Sequence, residues 1–118
     1  MKVDSVYLHH ILDAISKIES YAEVGKDRFI AESHWQDAII RNLEIIGEAT
    51  KRLSDTVKSK NAEIPWKSIA GLRDILIHNY MGVDLETVWI VVEKDLPLFK
   101  EQIKNLLKSV DESWLNPP

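Results

Sequence analysis

Apolar residues recur along this chain with a period near 3.6, and the polar positions between them mark out four long amphipathic stretches. In the first, Leu8, Ile11, Ile15, Ile18 and Ala22 lie on one helical face, which Asp4 or Ser5 is suited to cap. Gly25 ends it. The KDRFIAES link that follows is short, with room for a helical turn of its own. A second helix is expected from Ser33 to Leu53. Trp35, Ala38, Ile39, Ile46, Ala49 and Leu53 line one of its faces, while Ile40, Leu43 and Ile45 widen that face to meet more than one neighbour. The polar run SDTVKSKNAEI is the longest loop candidate.

Pro65 suits the first position of a third helix, where the amide it lacks would be unpaired anyway. That helix is expected to end by Gly82. Asp84 can cap a fourth, with Glu86 in the first turn favourable to the helix dipole. Leu85, Val88, Trp89, Val92, Leu96, Phe99, Ile103, Leu106 and Val110 keep helical spacing through it. Pro97 falls inside that pattern and should kink it. The tail DESWLNPP, residues 111–118, is expected to fray, although Trp114 could dock. Only TVWIVV approaches strand-like character. The fold class is therefore all-α: an antiparallel bundle of four to five helices in a single domain over residues 1–118.

Composition narrows the choices. With 118 residues the chain can bury roughly two thirds of its unfolded surface. There is no cysteine, which excludes disulfides, thiolate metal sites and a cysteine nucleophile. The N-terminus lacks a signal-peptide apolar region and no run approaches the length of a membrane span, so a cytoplasmic location and no membrane partner are expected. The formal net charge of −4 argues against a generic electrostatic nucleic-acid binder, yet leaves room for a local basic cleft where two chains meet.

The third helix carries the unusual chemistry. In GLRDILIHNYMG, residues 71–82, Arg73, Asp74, His78 and Tyr80 interrupt an apolar run. Trp66, Ile69, Ala70, Leu76 and Ile77 share a broad face with Arg73 and Tyr80. Lys67, Gly71, Asp74 and His78 form the one polar stripe. A guanidinium cannot shed its charge, so burying Arg73 requires a carboxylate such as Glu48 or Asp74, a phosphate, or a polar cleft. Taken singly, His78 reads as a polar contact, Tyr80 as a core aromatic, and the Asp74–His78 spacing as ordinary surface decoration. Together they supply a fixed cation, a group titrating near neutral pH and a hydroxyl. That set suits cleavage of RNA by its own 2′-hydroxyl. On a regular helix, however, position 78 lies about 140° around the axis from position 73. Either the helix breaks before His78, or the Arg and His of one site come from two chains.

These residues resemble a known pattern. Arg73, His78 and Tyr80 match the Arg-x4-His-x-Tyr motif of HepT-like toxins in the HEPN superfamily. IIGEA at 45–49, PWKSIAGLRD at 65–74 and VDLETVW at 83–89, followed by LPLF, extend the likeness over nearly the whole chain. The resemblance implies a homodimeric, metal-independent endoribonuclease whose motif residues line a cleft at the dimer interface. Its usual partner is a small nucleotidyltransferase antitoxin that transfers AMP onto the motif tyrosine. Carried over, Arg73 and His78 are catalytic, Asp74 is supporting and Tyr80 is the modification target. Glu48 either partners Arg73 or shapes the cleft, or else satisfies a buried group while Gly47 permits close helix packing. His9, His10 and His34 show no metal-binding spacing and are read as surface residues, so neither metal nor cofactor is expected. The competing functions are a non-catalytic nucleotide- or substrate-binding partner of a nucleotidyltransferase, and a dimeric structural protein in which Arg73 only specifies assembly.

Overall fold

The computed structural model describes the backbone of residues 2–78 and 84–115, and the side chains of residues 3–72 and 84–110. Seven α-helices occur among them: α1 (Lys2–Ala22), α2 (Lys26–Ala31), α3 (Ser33–Arg52), α4 (Asp55–Lys60), α5 (Trp66–His78), α6 (Leu85–Ile90) and α7 (Leu96–Leu115). A π-helical turn, Val91–Asp95, joins α6 to α7. No strand occurs among the described residues, and TVWIVV is helical throughout. The chain is an all-α bundle.

The expected long faces form the core. Leu8, Ile11, Ile15 and Ile18 of α1 are fully buried against Ile39, Leu43 and Ile46 of α3, with Phe29 from α2 and Ile103 from α7 in the same cluster. Burying each such side chain contributes about 1.5–3 kcal/mol relative to leaving it in water. Helices α1 and α3 run antiparallel. Asp4 meets Ser54 at one end of the pair, and the Tyr21 and Trp35 rings meet at the other, 6.3 Å between centroids. The start of α7 lies beside the end of α1, where the Lys100 ammonium donates to Glu19 at 3.0 Å. Trp66 anchors the start of α5: its ring meets Phe99 edge-on at 6.3 Å, and its indole N–H donates to the Asn61 carbonyl at 3.0 Å.

The link at Gly25 adopts φ +92°, a conformation side chains resist, and leads directly into α2, the helical turn expected there. Asp84 caps α6 as expected, its carboxylate accepting from the amides of Glu86 and Thr87. Three local expectations need correction. Asp4 is not a cap: α1 begins at Lys2, and Asp4 turns inward from its first turn toward Ser54. SDTVKSKNAEI is not a plain loop, because Ser54 caps α4 by accepting from the Val57 amide, and Val57 is buried in the core. Pro65 stands one place ahead of α5, its carbonyl accepting the first helical bond from Ile69 at 3.1 Å.

Near Pro97 the helix is rewound. Proline has no N–H to give the carbonyl four residues back and its ring crowds that position, and the π turn ends two residues before it. The expected break at Gly82 lies outside the described residues. So does the expected docking of Trp114, whose backbone belongs to α7.

Candidate functional site

Helix α5 enters the bundle with one side in the core and one side outside. Trp66 and Ile69 are buried, Lys67 and Ser68 are exposed, and Ala70, Gly71 and Leu72 are half-buried. The wheel expected from the sequence therefore holds through Leu72. The helix then continues without a break to His78. Positions 73 and 78 are thus set about 140° apart on one regular helix. A break before His78, one of the two ways to bring an Arg and a His together, does not occur. The side chains of Arg73, Asp74 and His78 and the whole of Tyr80 lie outside the described residues.

Glu48 sits half-exposed on α3 and accepts from the Arg52 Nε at 3.1 Å, with Gly47 buried beside it. That hydrogen bond, with a further one to Tyr7, raises the Arg52 pKa above its ordinary value. The Tyr7 ring meets His10 edge-on at 6.0 Å. His9, His10 and His34 are exposed, as read from their spacing. Among the described residues no group of three or more His, Asp or Glu is placed to hold a metal ion.

The family description "Ribonuclease HepT-like" matches residues 11–106. The chain belongs to the HepT-like ribonuclease family. A relative from Methanocaldococcus jannaschii, whose name pairs gamma-glutamylcyclotransferase with a provisional RNase designation, is 46% identical over 94% of this chain. The chain spans half the length of that relative. A provisionally designated RNase of Caldanaerobacter subterraneus is 38% identical over 92% of this chain and 97% of its own. The "Probable ribonuclease HepT" of Thermococcus cleftensis is 42% identical over 86% of this chain and 94% of its own. No solved structure matches the chain at a significant level.

The HepT-like match includes α5 in full, together with two surface features that sequence spacing did not disclose. Between α4 and the start of α5 lies an open groove of about 510 Å³, lined by Asp55, Lys58, Ser59, Trp66, Lys67 and Ser68 among others. Its lining runs from Asp55 to Ser68, and the fold of this segment sets Lys58 and Lys67, nine positions apart, on one hollow. At the other end of α3, Arg28 grips Glu32 through two hydrogen bonds of 2.9 and 3.1 Å. The Trp35 indole donates to that same carboxylate at 3.0 Å, and the guanidinium stands 5.7 Å from the Trp35 ring. Arg28 is the main cause that depresses the Glu32 pKa. Each member of this network is satisfied, as a structural clamp requires. Among the described residues no helix of the HepT-like chain is long and apolar enough to cross a membrane.

Proposed function

We propose that this chain is the toxin of a toxin–antitoxin pair, an endoribonuclease that cuts RNA without a metal ion in a cleft where two copies meet. The observation that carries this reading is the unbroken α5. With Arg73 and His78 set about 140° apart, one helix cannot aim both at a single phosphate, and a second copy supplies the missing partner. Family membership supports ribonuclease activity, and the dimeric cleft explains how an acidic chain makes a site for RNA.

In the proposed reaction the RNA 2′-hydroxyl attacks the adjacent phosphorus. His78 imidazole takes the hydroxyl proton or returns one to the departing 5′-oxygen, roles suited to a group titrating near neutral pH. Arg73 holds the non-bridging oxygens with a planar pair of N–H donors as charge builds on the phosphorane. The products are a 2′,3′-cyclic phosphate and a free 5′-hydroxyl. Asp74 and Glu48 are the supporting carboxylates. Control comes from a nucleotidyltransferase partner that transfers AMP from ATP onto the Tyr80 oxygen and releases pyrophosphate.

The test is incubation of purified protein with labelled RNA, and with DNA of the same sequence, in EDTA. RNA should be cut to cyclic-phosphate ends and DNA left whole. Arg73→Ala and His78→Ala should each lose on the order of 100-fold or more in rate. Arg73→Lys should be nearly as poor, because an ammonium lacks the planar fork. Abolition of cleavage by EDTA, or equal cleavage of DNA, would refute the assignment.

A further inference from the structure

Charge is unevenly spread along this chain. Residues 51–67 hold five basic and two acidic side chains, a local balance of +3, so the other positions sum to −7. Within that segment Arg52 is paired with Glu48. Lys58 and Lys67, in contrast, form no ion pair among the described residues. Both line the open groove between α4 and the start of α5, where the hydroxyl-bearing Ser59 and Ser68 join them. Asp55 lines the groove with them, so its three charged side chains sum to a formal +1.

A second, independent feature lies on the same side of α5. Gly71 stands in the middle of a helix, where glycine costs stability relative to alanine. Such a cost is usually repaid by a close neighbour that a side chain would strike. Here a Cβ built at Gly71 would meet nothing within 4 Å. Among the described residues the gap serves no packing. Gly71 also belongs to the one polar stripe of α5, with Lys67 four residues before it and Asp74 and His78 three and seven residues after it. From Lys67 to His78 that stripe runs about 16 Å along the helix axis.

We propose that the α4–α5 groove and the bare Gly71 side of α5 form a track for the RNA phosphate backbone, leading from Lys58 and Lys67 to His78. This rests on the ribonuclease reading above. Lys58 and Lys67 neutralise phosphates farther along the strand from the cut site, and Gly71 lets the strand pass close to the helix. Asp74 is the one stripe position that opposes a polyanion, and its place one turn before His78 fits the supporting role expected of it. The track is indifferent to base sequence, because it meets the backbone alone. A second copy of this chain would also fill an open glycine face, but the unpaired lysines at its head favour a polyanion.

The experiment measures binding of a fluorescein-labelled single-stranded RNA to His78→Ala protein across a series of salt concentrations. On that background, Lys58→Gln with Lys67→Gln should bind about tenfold more weakly at 0.1 M salt. The slope of log K against log salt should become shallower by about 1.4, which is two single-strand phosphate contacts at about 0.7 each. Lys60 faces a different hollow, beside Leu106 and Val110, so Lys60→Gln should change affinity by no more than about twofold. Gly71→Leu should weaken binding while the mass in solution stays unchanged and the thermal midpoint does not fall, since leucine favours a helix over glycine. Unchanged affinity and slope in the double variant overturn the proposal, as does an equal loss from Lys60→Gln. Gly71→Leu that splits assembled copies and spares RNA binding also overturns it, by making the open side a contact between chains. Cleavage by the unmutated protein is scored separately. If that protein cuts no RNA yet the double variant loses binding, the track stands and the ribonuclease reading falls.

Discussion

Asp4 is only 3% exposed, yet both of its carboxylate oxygens are used: one accepts from the Ser54 amide at 2.8 Å, the other from the Ser54 hydroxyl at 2.7 Å. The pair ties the start of α1 to the α3–α4 junction. Asp4→Ala strands two donors in a part-buried place and should cost about 1–3 kcal/mol in urea unfolding. Asp4→Asn keeps an acceptor and should cost less; equal losses from both would show that ionic charge, not hydrogen bonding, is what matters. Nothing in the sequence around Asp4 points to Ser54, because the partner lies fifty residues away. Tyr80 is the opposite case, legible from its neighbours alone through the Arg-x4-His-x-Tyr spacing. Under the proposed reading, AMP on its oxygen would add bulk and negative charge that oppose RNA binding. Tyr80→Phe should therefore keep much of the ribonuclease activity but escape neutralisation. Intact-mass analysis after co-expression with the nucleotidyltransferase checks this: an AMP-sized gain that persists in Tyr80→Phe would put the modification elsewhere.

Among the elements, α6 owes its start to Asp84, whose carboxylate accepts from the Thr87 hydroxyl at 2.8 Å and from the Glu86 amide at 3.0 Å. The Thr87 hydroxyl, ahead of the backbone amides, holds the Asp84 pKa below its ordinary value. A depressed folded-state pKa means the cap contributes fully above the unfolded aspartate value, about pH 4, and is lost as pH falls through the folded one. Asp84→Ala should thus lower the thermal midpoint by a few degrees at pH 7. The gap from the unmutated protein should narrow below about pH 4; a gap independent of pH would mean the ionised cap is not its source. Helix α4 was harder to foresee than α6. Six residues cannot sustain a helix by propensity, since nucleation is costly. What stabilises it is Val57, 5% exposed in the core, and the Ser54 cap three residues before it, a signal short enough to pass for a loop. The π turn before Pro97 has a similar history: proline announces a disturbance, while the surrounding helices decide its form.

At the scale of the molecule, the sequence places Leu72, Ile75, Leu76 and Ile77 on more than one side of the helical wheel of α5, the pattern expected of a helix that meets a second chain. Exposed Leu98 and Ile90, at 65% and 50%, add apolar surface around the π turn. We expect a homodimer, read by light scattering at micromolar concentration as about twice the 13.6 kDa chain mass. A monomer at that concentration would sink both the dimer and the shared cleft. Helical periodicity was enough by itself to determine the fold class, the first two long helices, α1 and α3, and most of the core, because burial of one face is a local demand repeated every turn; the expected fourth helix is divided by the π turn into α6 and α7. The Arg73–His78–Tyr80 spacing was legible for the same reason: motif and helix are contiguous in the chain. Tertiary structure alone decided the Asp4–Ser54 tie, the existence of α4, and the groove that sets Lys58 beside Lys67. Asp4 and Ser54 are fifty residues apart, Val57 holds α4 only by reaching the core, and the two lysines meet only once α4 and α5 have formed, so packing and not local preference fixes all three.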